Sequence, residues 1–109
     1  MIKVKIKKDK NSHIIEYRVY GHAGFDEYGK DIVCSAVSAL TQAVVIGLKE
    51  VAGIEIDYSV NGDALRCSLP PLEDYKRREA DILLNTMCLA LDNIKSSYPS
   101  NLTVIEEEV

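Results

Sequence analysis

Two residues in this 109-residue chain pair a nucleophile with a base at workable spacing, His22 and Cys34. His22 lies in the glycine-rich run Gly21-His22-Ala23-Gly24. Cys34 follows twelve residues later, in the apolar stretch Asp31-Ile32-Val33-Cys34-Ser35-Ala36-Val37-Ser38. Asp31 is a good N-cap, which makes Ile32 the first helical residue and Cys34 the third. A thiol in a first helical turn sits among unpaired backbone N–H groups at the positive end of the helix dipole, and both favour the thiolate. An ordinary thiol of pKa near 8.5 is only about 3% ionised at pH 7, and a shift of about 1.5 units, about 2 kcal/mol, makes it roughly half ionised. An imidazolium folded back from the upstream loop adds to that shift. The chemistry this predicts is acyl transfer. The thiolate attacks a carbonyl carbon, and the histidine protonates the leaving group and then activates water. The N–H groups around Cys34 are the candidate donors for the oxyanion.

The same residues have plainer readings. A cysteine on an apolar helix is more often buried and inert, and a lone loop histidine is more often polar surface. Asp31 either caps the helix or orients His22 as a third catalytic member. Ser38, one turn beyond Cys34 on the same face, is a supporting or a packing residue. Residues 23–30 set Gly24 and Gly29 around an acidic, aromatic tip. That is the pattern of a loop closing over substrate, with Phe25 or Tyr28 lining an apolar pocket, or of a loop whose aromatics pack down.

Periodicity predicts the elements that hold this pair. Ile2, Val4 and Ile6 alternate with Lys3, Lys5 and Lys7, a half-buried strand with a lysine face. Asp9 to Ser12 is a turn, and a second strand through Ile15, Tyr17 and Val19 runs straight into Gly21-His22. A helix over 32–51 carries a core stripe of Val33, Val37, Leu40, Val44, Leu48 and Val51, with Ala36, Ala39, Ala43 and Gly47 on a slim surface and Gly53 as its αL cap. Asn61-Gly62 predicts a type I′ hairpin pairing Val60 with Asp63, Tyr58 with Leu65, Ile56 with Cys67 and Ile54 with Leu69, which puts Cys67 in the core. Pro70-Pro71 ends that strand. A second helix follows from about Glu73 to Ser97, burying Leu83, Leu84, Met87, Leu91 and Ile94, with Cys88 buried or half-buried beside them. Tyr98-Pro99 stops it, Leu102 to Ile105 is a short last strand, and Glu106-Glu107-Glu108 is a solvated end. The order ββαββαβ is an α+β fold, two helices packed on a mostly antiparallel sheet in a single compact domain spanning 1–109.

Composition bounds the rest. Hydrophobic residues make up 47% of the chain, enough for one modest core. No apolar run approaches the roughly 20 residues of a bilayer span, and the alternating N-terminus excludes a signal peptide, so a cytoplasmic protein without a membrane partner is expected. Cys34, Cys67 and Cys88 lack any CxxC spacing, which predicts reduced thiols and no metal site, and no phosphate-cradling or other cofactor motif is present. The net charge of −4 argues against direct nucleic-acid binding. It is either ordinary solubility charge or a field that steers a basic partner inward.

Gly21-His22-Ala23, the short glycine-containing loop, and Asp31-Ile32-Val33-Cys34-Ser35-Ala36-Val37-Ser38 together resemble the ribosomal-processing cysteine proteases of Firmicutes and related bacteria, the Prp family. The resemblance extends to length, element order, the Tyr98-Pro99 helix end and the short last strand. It implies a homodimeric endopeptidase that removes the N-terminal extension of large-subunit ribosomal protein twenty-seven after an apolar or aromatic residue. It also implies that His22 and Cys34 form the catalytic dyad and that no cofactor is needed. Gly21, Phe25, Tyr28, Asp31 and Ser38 then fall to substrate binding or support. Two other classes compete: a non-catalytic ribosome-assembly adaptor that binds the extension, and a Cys-His thioester hydrolase.

Overall fold

The computed structural model describes residues 1–21, 28–62 and 64–109, with the side chains of 28–31 outside that description. The lysine-alternating N-terminus forms β1 (Ile2–Lys8), and the Asp9 carboxylate accepts the backbone N–H groups of Asn11 and His13 to build the turn into β2 (Ile14–Tyr20). Then come α1 (Tyr28–Ile46), a π-helical turn (Gly47–Val51), β3 (Asp57–Asn61), β4 (Ala64–Ser68), α2 (Asp74–Ser97) and β5 (Leu102–Glu108). The five strands form one sheet in the order β3-β4-β2-β1-β5, antiparallel except where β5 runs parallel to β1. The predicted α+β order ββαββαβ, with two helices on a mostly antiparallel sheet, is the observed one.

The helix-side face of the sheet carries the core. Val4, Ile6, Tyr17, Val19, Leu65 and Cys67 meet Val33, Val37, Val44 and Leu48 of α1 and Leu84, Met87 and Leu91 of α2, all buried. Burying an aliphatic side chain of this size contributes about 1.5–3 kcal/mol, so this face supplies most of the drive to fold. On the opposite face Glu16 is also buried. Arg18 Nε donates to it at 2.9 Å and Arg66 Nε at 3.1 Å, with Lys7 nearby. Burial pushes the Glu16 carboxyl upward, but those cations outweigh it and hold the group below the usual carboxylate range.

The structure corrects several expectations. First, α1 starts at Tyr28 rather than Ile32, so Asp31 lies inside the helix and is not its N-cap, and Gly29 belongs to the helix rather than to a loop. Acidic residues are favoured at helix starts, and the sequence offers Asp26 and Glu27 as well as Asp31, so spacing alone had no way to choose. Second, Val51 is 82% exposed while Ala52 is buried. The π turn, closed by Ala52 N–H donating to Gly47 O at 2.8 Å, adds a residue to one turn and rotates Val51 off the stripe.

Third, the β3–β4 turn falls one residue later than predicted. Asn61 is a ladder residue opposite Ala64, Val60 faces Leu65 and Tyr58 faces Cys67. Gly62 at φ +65° takes the corner, a backbone angle that glycine adopts without strain. The partners shift by two, which leaves Tyr58 and Val60 on their predicted face, but β3 starts at Asp57, so the predicted Ile56–Cys67 and Ile54–Leu69 pairs do not form. Fourth, the glutamate run is exposed as expected at Glu106 and Glu108, but it is strand and not a loose end. It extends β5 alongside β1, where Lys8 Nζ lies 2.8 Å from Glu106 and Lys5 Nζ 3.7 Å from Glu107.

The expectation on membrane-spanning length also fails for α1 and its π turn. Ile32–Val51 is 20 residues long with mean hydropathy 1.7, enough by length and composition to cross a bilayer. Here its apolar stripe packs against the sheet, as in a core helix.

Candidate active site

The site is framed by the end of β2 and the Cys34 face of α1. Gly21, the residue after β2, has φ +89°, and a Cβ there would sit 2.7 Å from the carbonyl oxygen of Met1. Only glycine fits, both for the backbone conformation and for the approach to the first residue of the chain. His22, Ala23, Gly24 and Phe25 lie outside the described residues, as does the distance from His22 to Cys34. Gly21→Ala should therefore cost about 1–2 kcal/mol in backbone strain, with the clash in addition. In a chain of this size that lowers the melting temperature by several degrees. An unaltered melting temperature would show that Gly21 does not hold this backbone.

Cys34 is half-buried on α1 and packs against the edge of the core. Because the helix begins at Tyr28, Cys34 is its seventh residue and lies in the second turn. The N–H groups of Ile32, Val33 and Cys34 consequently fall within the i→i−4 ladder and are not spare donors for an oxyanion. The helix dipole also acts mainly within the first turn, so it favours a thiolate here less than the predicted helix start would. Tyr28 and Asp31 are placed in α1 by their backbone.

Ser38, one turn beyond Cys34, is half-buried and lines a groove with Thr41, Gln42 and Val60. Thr41 is fully buried. Its hydroxyl donates to Val37 O at 2.8 Å, and its carbonyl accepts the Tyr17 hydroxyl at 2.8 Å. That second bond pins α1 to β2 directly beneath the Cys34 face. Burial raises the Tyr17 pKa, with Cys67 adding to it, so the phenol stays a donor. Sequence reasoning placed Tyr17 in the core but missed this anchor. The available signal was a hydroxyl-bearing aromatic at a core position, which needs a partner. The groove residues Thr41, Gln42 and Val60 had no sequence signal, since they meet only across the fold.

The other two thiols are poor nucleophiles. Burial pushes Cys67 up to about 11, although the Tyr17 hydroxyl and the Arg66 charge pull the other way. Cys88 is raised too, by burial first and then by the Glu106 carboxylate.

Known proteins match this arrangement closely. A curated relative, the ribosomal processing cysteine protease Prp of Bacillus subtilis, is 31% identical over 95% of this chain and 96% of its own length. Two crystal structures of the ribosomal processing protease Prp from S. aureus superpose on nearly the whole chain. The one holding a substrate peptide is 25% identical with a TM-score of 0.86, over 98% of this chain and 100% of that one. The one holding a covalently linked product peptide is 27% identical with a TM-score of 0.84, over the same shares. The sequence model of the cysteine protease Prp family matches residues 1–103, and the chain therefore belongs to that family of cysteine proteases.

Proposed function

We propose that this protease removes the N-terminal extension of large-subunit ribosomal protein twenty-seven in the cytoplasm, cutting after an aromatic or apolar residue, with Cys34 as nucleophile and His22 as its base. The observation that carries the choice of nucleophile is the contrast among the three cysteines. Cys67 is fully buried, burial raises Cys88 on the far helix, and Cys34 is half-buried on α1, one turn before Ser38, in the segment that follows His22. The S. aureus relative with a covalently linked product peptide supports a covalent acyl-enzyme route.

In that route Cys34 Sγ bonds to the scissile carbonyl carbon, and His22 gives its proton to the departing amine as the C–N bond breaks. His22 then takes a proton from water, whose oxygen bonds to the acyl carbon. The C–S bond breaks and the thiolate is restored. Asp31 is a positioning residue for His22 in this reading, and Phe25 and Tyr28 recognise the residue before the cut. The enzyme acts as a homodimer. Its support is the outward stripe of α2, where Tyr75, Ile82 and Leu89 recur every seven residues and are 52%, 69% and 67% exposed. Sedimentation as a single-chain species at micromolar concentration would remove the dimer.

The direct test incubates the chain with the extended ribosomal protein and reads intact mass. Loss of one N-terminal fragment with wild type and not with Cys34→Ala is the expected result. Binding without cutting by both would favour the adaptor, and equal cutting by both would remove Cys34 as nucleophile. Hydrolysis of acyl thioesters without peptide cleavage would favour the third class.

A further inference from the structure

A protease that trims a flexible extension must hold that extension in an extended form, and a sheet edge is the usual means. This sheet has two edges, and they differ. β5 lies on the α2 side, beyond β1, and ends in Glu106-Glu107-Glu108, two of which pair with lysines of β1. Charge of that kind is how edge strands are ordinarily guarded. β3 is the other edge, and its only charged residue is Asp57, which is tied to Arg66 at 3.1 Å.

The helix-side face of β3 is also bare. Cys67 and Leu65 of β4 are 0% and 7% exposed, whereas Tyr58 and Val60, opposite them on β3, are 40% and 59% exposed. The cover provided by α1 therefore stops at β4 and leaves an apolar shelf along the edge. Between that shelf and α1 runs the groove lined by Ser38, Thr41, Gln42, Val60 and Leu65, about 60 Å³ in volume. Ser38 lies one turn and Thr41 two turns beyond Cys34, so the groove continues the cysteine-bearing face of the helix. Among the described residues no hydrogen bond reaches the outward backbone groups of residues 57–61.

We propose that the peptide substrate adds as a sixth strand on the free edge of β3, with one apolar side chain lying over Val60 beside Ser38 and Gln42. Backbone pairing aligns the chain without regard to sequence, and the Val60 shelf selects an apolar residue at one position. This rests on Cys34 being the nucleophile, because the edge is chosen by its continuity with that face. Val60 is thus a specificity residue and takes no part in the chemistry.

The test uses Val60→Glu, and Val60→Thr as a near-isosteric second variant, against a synthetic peptide spanning the extension and its cleavage point. KM should rise at least about tenfold for Val60→Glu and less for Val60→Thr. The kcat at saturation and the rate of Cys34 alkylation by iodoacetamide should stay at wild-type values. Unchanged KM in both variants would overturn the proposal. In parallel, Cys34→Ala is mixed with the same peptide and followed by amide hydrogen exchange. Slowed exchange in residues 57–61 with residues 102–108 unchanged is expected. Protection of 102–108 instead, or of neither edge in a bound complex, would overturn it while leaving the nucleophile in place. Cleavage of the peptide by Cys34→Ala would remove the nucleophile and the reason for choosing this edge together.

Discussion

Removing His22 and Cys34 together should cost no more than removing either one. Each single alanine variant should lower kcat by at least about three orders of magnitude, and the double variant should match the worse of the two, because groups that act as one unit are strongly non-additive. The helix geometry sharpens this expectation. With Cys34 in the second turn of α1, the helix end contributes little to a thiolate, and in the proposed dyad the imidazolium supplies the larger share. Loss of His22 therefore removes the nucleophile's charge as well as the proton donor to the leaving amine. A thiol activated mainly by the helix would behave differently. His22→Ala would keep its thiolate and still be alkylated quickly at Cys34, while peptide cleavage is lost for want of a proton donor to the leaving amine. Single-turnover cleavage of the extended substrate by the three variants, read by intact mass, together with the rate of Cys34 alkylation in His22→Ala, separates the two cases. Additive losses would show that the residues act independently and would remove the dyad.

A second large effect is expected in thiol labelling. At pH 7 and low iodoacetamide the folded chain should take one label, at Cys34, while Cys67 stays unmodified. With its pKa near 11, Cys67 is thiolate in only about one molecule in ten thousand at pH 7, some 300-fold less than an ordinary thiol, before its complete burial is counted. Cys88 should lag as well, since burial and the Glu106 carboxylate both disfavour its charged form. Raising the pH should narrow the gap for Cys88 first, because it is half-buried and Cys67 is not accessible at all. Unfolding in denaturant should bring all three to similar rates. Rapid labelling of Cys67 in the folded chain at neutral pH would mean that the β4–α1 contact opens readily. It would also remove the contrast that singles out Cys34.

Which features were legible in the chain follows from how local their causes are. β1 and β2 were readable because alternation at Ile2, Val4 and Ile6, and at Tyr17 and Val19, is a property of each strand alone. The end of α2 at Tyr98-Pro99 was readable for the same reason, as was the positive φ of Gly53. The start of α1 was not, because several acidic residues in a row satisfy the same capping preference. The burial of Glu16 carried no local signal, because it depends on Arg66, which comes from a strand fifty positions away. In the site, Gly21 and Cys34 stood out by residue type, but the nearness of the Met1 carbonyl, which leaves no room for a Cβ at Gly21, is in no local pattern. Ser38 was noticed by its spacing from Cys34, but its groove needs Val60, which only the β3–β4 register delivers.

The π turn at Gly47–Val51 has an implication for comparing chains of different length. It holds one residue more than a regular α-helical turn, taken up within that single turn. A relative one residue shorter between Ile46 and Ala52 would close the same stretch as regular α-helix and keep both flanks in place. Gly47 marks the fixed side of that adjustment, since a Cβ there would come within 3.1 Å of Leu83 on α2. An alignment should therefore open its gap at Leu48 to Val51 and nowhere closer to Cys34. Insertions and deletions at this point are ones the Cys34 end of the helix would never register.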